Sequence, residues 1–127
     1  MNRSSLRYLL VEPQFVLRRT IVTVARDYAG LQLDECSSID RARPQLSTTA
    51  FAGLVLDFQD STAAFELLGA LRRGDFVSPS DIPVIVLAAE LRPDDANRLK
   101  ALAVQHVLGK PFKIGHLLSC LGVHTGA

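Results

Sequence analysis

Gly53-Leu54-Val55-Leu56-Asp57 is the stretch that decides the fold. A short apolar run with no polar alternation suits a strand buried on both faces, as in the interior of a parallel sheet. The same kind of segment recurs upstream as Leu9-Leu10-Val11, ending in Glu12, and downstream as Val84-Ile85-Val86-Leu87, ending in Ala88-Ala89. Near the C-terminus stands Leu108-Gly109-Lys110-Pro111-Phe112. An acid, an acid and a lysine thus sit just past three different buried segments. That pattern predicts one polar pocket at one edge of a sheet.

The intervening stretches read as helices. Pro13 suits a first helical turn, where its missing N–H is no loss, and Gln14 to Tyr28 follows as a helix. Phe15, Leu17, Ile21, Val24, Ala25 and Tyr28 form its expected core side, and Gly30 is the stop. Leu31 to Cys36 alternates as an edge strand does. Ser38 caps a helix to about Leu46, kinked or shortened by Pro44. Ser61 or Thr62 caps the next, which ends near Arg73-Gly74 and buries Phe65, Leu67, Leu68 and Leu71. Asp75 to Pro83 is a loop. Pro93-Asp94-Asp95 opens a helix with proline first and acids where the dipole favours them, running to about Val104. Val107-Leu108 is a last strand and Ile114 to Leu121 a last helix.

Strands and helices alternate throughout, which predicts an α/β domain with a parallel sheet covered on both faces. Right-handed crossovers narrow the topology to a flavodoxin-like, doubly wound sheet of five strands in the order 2-1-3-4-5, with five helices. In that order the ends of strands 1 and 3 lie side by side where the winding reverses, and ligands bind at such points. Glu12 and Asp57 would meet there, with Lys110 reaching in from strand 5.

At 127 residues and 48% hydrophobic, the chain is expected to form a single domain (1–127) with a real core. No apolar run approaches the roughly 18 residues of a membrane span, and Met1 to Ser5 leads into too short an apolar stretch for a signal peptide. A cytoplasmic protein with no membrane contact is expected. A net charge of +1, with arginines in scattered pairs, gives no basic stripe for direct nucleic-acid binding. Cys36 and Cys120 match no metal spacing and read as small core residues. His106, His116 and His124 form no ligand cluster.

From Tyr8 to about Leu121 the chain resembles the response-regulator receiver domain of two-component signalling. The resemblance is carried by Leu54-Val55-Leu56-Asp57, by Ile82-Pro83-Val84-Ile85-Val86-Leu87 and by Gly109-Lys110-Pro111-Phe112, in that order. It implies a phosphorelay module and not an enzyme. Asp57 would accept a phosphoryl group from a histidine kinase or phosphotransfer protein. Lys110 would pair with the aspartate or its phosphoryl group, across a Lys110-Pro111 bond commonly cis in the family. Mg²⁺ would be held by Glu12, Asp57 and the backbone carbonyl of Gln59. Carboxylate attack on phosphorus needs neighbours that absorb negative charge, and a hard cation with a fixed lysine supplies them.

The sequence departs from the family pattern where the switch should be. The family's second acid after strand 1 is here Pro13, which weakens the magnesium site. Its Thr or Ser after strand 4 maps to Ala88, and its strand-5 aromatic to Val107. A hydrogen bond to a charged group contributes about 1.5–3 kcal/mol, so losing the hydroxyl removes much of the usual switching energy. The loop Phe58-Gln59-Asp60-Ser61-Thr62 looks one residue shorter than in the family. A phosphorylation-independent pseudo-receiver, acting in docking or dimerisation, is therefore the alternative reading.

Each site residue also has a simpler role open to it. Asp57 could be a turn or capping aspartate. Glu12 could be an acid at a helix start, Lys110 a structural lysine, and Asp60 a loop or capping residue rather than a metal ligand. Arg18-Arg19 is a candidate contact for an acidic partner, and the other arginine pairs read as solvated helix faces. Partners, including a downstream output protein or a second copy, are expected on helix 4, strand 5 and helix 5, about Pro93 to Leu121. The rival class is a small flavodoxin-like domain binding a cofactor such as flavin or cobalamin, although no glycine-rich loop follows strand 1.

Overall fold

The computed structural model describes residues 6–122. Its strands are β1 (Arg7–Val11), β2 (Gln32–Cys36), β3 (Gly53–Asp57), β4 (Val84–Ala88) and β5 (His106–Gly109). Its helices are α1 (Phe15–Ala29), α2 (Ile39–Thr48), α3 (Ser61–Arg72), α4 (Pro93–Ala101) and α5 (Ile114–Cys120). The sheet is parallel, in the order β2-β1-β3-β4-β5. No helix among the described residues is long and apolar enough to cross a membrane.

The period of two along each strand divides the core into two layers. Leu9, Val11, Leu54, Leu56, Val84, Val86 and Ala88 join α2, α3 and Leu99 of α4 on one face. Leu10, Val55, Ile85, Leu87 and Leu108 join α1 and α5 on the other. Glu12, Asp57 and Lys110 continue the parity of Leu10, Val55 and Leu108. Register brings them level: Val11 pairs with Leu56, and Ala88 with Gly109, so each charged residue stands at or just past the end of its strand.

Most punctuation follows local chemistry. Gly30 ends α1 in the left-handed region at φ 63°, where a side chain would be strained. Gly53 has a different cause: a Cβ there would stand 2.7 Å from the Tyr8 ring. Ser38 caps α2 by accepting a hydrogen bond from the Arg41 amide. α2 continues past Leu46 to Thr48 with Pro44 inside it.

Several sequence expectations are corrected. Pro13 precedes α1 rather than opening it, and Gln14 is the N-cap. Phe15 and Tyr28 are exposed, while Ile21, Val22 and Ala25 are buried. Asp60, not Ser61 or Thr62, caps α3 by accepting from the Ala63 amide at 3.1 Å. α4 stops at Ala101. Cys36 is buried as expected, but Cys120 is only half-buried. Arg72 is not a solvated residue: its guanidinium donates to the carbonyls of Leu102, Ser80 and Ile82 at 2.8 Å each and of Ala103 at 3.2 Å. It ties the end of α3 to the loops before β4 and β5. His124 lies outside the described residues.

Candidate functional site

Three strand ends supply the charged groups. Glu12 follows β1 and is fully buried; Asp57 ends β3 and is 6% exposed. Lys110 follows β5, where its amide donates to the Ala88 carbonyl at 2.8 Å and holds the segment against β4. The Lys110-Pro111 bond is cis. Phe112 packs against the layer that includes α5.

The side chains converge. Lys110 Nζ lies 2.6 Å from Asp57 Oδ1 and 2.7 Å from Glu12 Oε1. The remaining carboxylate oxygens accept backbone N–H groups: Gln14 donates to Glu12 Oε2 at 3.0 Å, and Gln59 to Asp57 Oδ2 at 2.9 Å. Burial by itself would lower the pKa of the Lys110 ammonium. The hydrogen bonds to Asp57 and Glu12, and their charges, more than offset this, so its pKa is raised above the ordinary lysine value.

Arg18 secures the β1 end from behind. It donates to the Glu12 carbonyl at 2.9 Å and to Glu35 Oε1 at 3.1 Å, and Arg19 also pairs with Glu35. The Arg18-Arg19 pair is thus engaged within the chain instead of standing free for an acidic partner. Glu35 and this brace were not anticipated from sequence. The signal was there in the alternation of β2, which turns Glu35 and Asp34 to opposite sides of an edge strand.

Two clefts border Asp57. One, of about 590 Å³, runs past Pro13 and the starts of α2 and α3. The other, of about 410 Å³, lies between Gln14, Ser61, Ala89, Arg92 and Lys110. The switch positions differ from each other: Ala88 is buried, whereas Val107 is 39% exposed. Phe58, the residue after Asp57, packs edge-to-face on Phe65 with centroids 5.2 Å apart. Arg98 of α4 lies 3.7 Å from the same Phe65 ring.

The donor set does not fit a divalent metal. Both side-chain carboxylates already bind one ammonium, and each remaining oxygen faces an amide. Pro13 adds no oxygen ligand from its side chain, and Asp60 is committed to capping α3. Among the described residues, no group of three or more His, Cys, Asp or Glu side chains is placed to hold an ion. Magnesium asks for near-ideal octahedral oxygen coordination, and the Glu12 and Asp57 carboxylates are instead turned to the Lys110 ammonium and to backbone amides.

No family model matches the sequence, and no curated protein matches it. Solved structures do. The chemotaxis protein CheY4 of Vibrio cholerae superposes with a TM-score of 0.80 at 22% identity, over 92% of this chain and 96% of that one. The receiver domain of HemR from Leptospira biflexa gives 0.79 at 23% identity, over 92% and 91%. A response regulator receiver protein from Pseudomonas putida gives 0.80 at 18% identity, over 92% and 95%. The described chain, with its five parallel strands in the order 2-1-3-4-5, therefore has the fold of the response-regulator receiver domains.

Proposed function

We propose that this chain is a single receiver-type domain of two-component phosphorelay signalling, acting by contact with other proteins and accepting a phosphoryl group on Asp57. The observation that supports this reading is the meeting of Asp57 and Lys110 at 2.6 Å from strands that are not neighbours in sequence. In the transfer step a carboxylate oxygen of Asp57 attacks the phosphorus of a phosphorylated imidazole. The O–P bond forms as the P–N bond breaks, and the departing imidazole takes a proton from solvent. Lys110 follows the charge onto a phosphoryl oxygen, and the Gln59 amide remains a second donor. The donor would be a histidine kinase or phosphotransfer protein. An output protein or a second copy would meet α4, β5 and α5, and no membrane or nucleic acid is required.

A pseudo-receiver is the second reading, and one observation favours it. All four carboxylate oxygens of Glu12 and Asp57 already have donors, while Ala88 offers no hydroxyl to a phosphoryl oxygen. Intact mass after treatment with acetyl phosphate separates the two. The addition of one phosphoryl group, lost in Asp57→Asn, supports phosphoacceptance. An unchanged mass in folded protein supports docking without phosphate.

A further inference from the structure

Glu12 and Asp57 bring two negative charges into the pocket, and Lys110 brings one positive charge to both of them. An ion on the same carboxylates would stand against the ammonium, since Nζ is already within hydrogen-bond distance of each. Like charges at such separations repel strongly where water is scarce. With a divalent ion added, three positive charges would face two negative ones; the Arg18 guanidinium on the Glu12 carbonyl is itself paired with Glu35 and adds little to that sum. The acid that would restore the balance is missing, because position 13 is an exposed proline.

We propose that Lys110 is the resident cation of this pocket, taking the place of a divalent metal, and that the site is metal-independent. The pocket is then complete as folded: each carboxylate is held by one ammonium and one backbone amide. The lysine offsets one of the two buried negative charges from within the chain, and the Gln14 and Gln59 amides hold the other carboxylate oxygens, so the domain needs no ion to keep Glu12 and Asp57 side by side. An anion arriving at Asp57 meets an ammonium and amides, not a coordination sphere. This holds whether or not Asp57 is a phosphoacceptor, so it stands apart from the phosphorelay reading.

Mn²⁺ is the probe, counted by electron paramagnetic resonance and checked by thermal unfolding with millimolar Mg²⁺ or with chelator. Wild type is expected to bind no Mn²⁺ and to melt at the same temperature with and without Mg²⁺. Pro13→Asp, which restores an acid at an exposed position, and Lys110→Met, which vacates both carboxylates, are each expected to gain one bound ion and a saturable rise in melting temperature. The proposal is overturned if wild type binds one ion that Glu12→Gln or Asp57→Asn removes. It is also overturned if both gain variants fold, as circular dichroism would show, yet stay metal-free. Should Lys110→Met not fold, wild type and Pro13→Asp still decide.

Discussion

Lys110 Nζ sits 2.6 Å from Asp57 Oδ1 and joins residues 53 positions apart, one ending β3 and the other just past β5. With Glu12 on its other side, the ammonium offsets one of the two negative charges that the sheet would otherwise leave buried. Stability and chemistry at this end of the molecule depend on the same three side chains.

Removing the lysine should be costly. Breaking one partner out of a buried ion pair leaves an uncompensated charge, typically a loss of about 3–5 kcal/mol. Lys110→Met is expected to lower unfolding free energy in metal-free urea titrations by about that much. Adding Glu12→Gln should recover part of it, because one of the stranded charges is then gone. A loss below about 1 kcal/mol would place the lysine among ordinary surface residues.

The same lysine sets an alkaline limit. Its pKa in the fold lies above the ordinary value, so the folded state binds the proton more tightly than the unfolded chain does. Its contribution is therefore fully present below about pH 10.4, the unfolded lysine value, and is lost as pH rises through the folded value. Glu12 and Asp57 face the ammonium directly, and Glu90, Asp95 and Arg92 line the cleft with it. The stability gap between wild type and Lys110→Met should narrow above pH 10.4, measured by urea midpoints. A gap that widens there would contradict this.

Arg72 and Arg73 should behave differently despite being neighbours. Arg72 spans four carbonyls on two loops, and burial lowers its pKa, with Asp81 opposing the shift. Arg72→Ala should cost about 1–3 kcal/mol by chemical denaturation, since the part-buried Leu102 and Ile82 carbonyls lose a charged donor. Arg72→Lys should recover less than half, because one ammonium cannot reproduce a planar fork. Arg73, exposed and paired among the described residues with exposed Asp75, should change stability by less than about 0.5 kcal/mol on truncation.

Positions 13 and 88 carry two of the departures from the receiver pattern. If they are what weakens phosphoacceptance, Pro13→Asp with Ala88→Thr should raise the rate of labelling by acetyl phosphate. The restored hydroxyl alone would contribute about 1.5–3 kcal/mol, roughly tenfold or more in rate if expressed at the transition state. No gain, in protein shown to be folded, would mean that neither substitution limits the reaction.

Strand order was legible because the buried runs are short, apolar and separated by helix-length segments. The pocket was legible because a charged residue ends or follows three of those runs, and strand parity aims all three the same way. Phe15 and Tyr28 were misread for a geometric reason. A helix of 15 residues spans about 22 Å, while strands of five residues span about 17 Å. The ends of α1 therefore overhang the sheet, and apolar spacing does not reveal where cover stops. The α3 cap was ambiguous because Asp60, Ser61 and Thr62 can all cap, and only backbone geometry chooses. Arg72 was out of reach altogether: its acceptors are backbone carbonyls whose positions exist only after the chain has folded.

The most direct test is a double-mutant cycle on Asp57→Asn and Lys110→Met, read as unfolding free energy at neutral pH without metal. Residues in one ion-paired network show interaction energies of about 0.5–3 kcal/mol, whereas independent sites add to within about 0.5. A coupling above 1 kcal/mol, with the double variant losing clearly less than the sum of the singles, is the expected result. Additive losses would mean that Asp57 and Lys110 do not share a pocket, and the receiver-type site would fall with them.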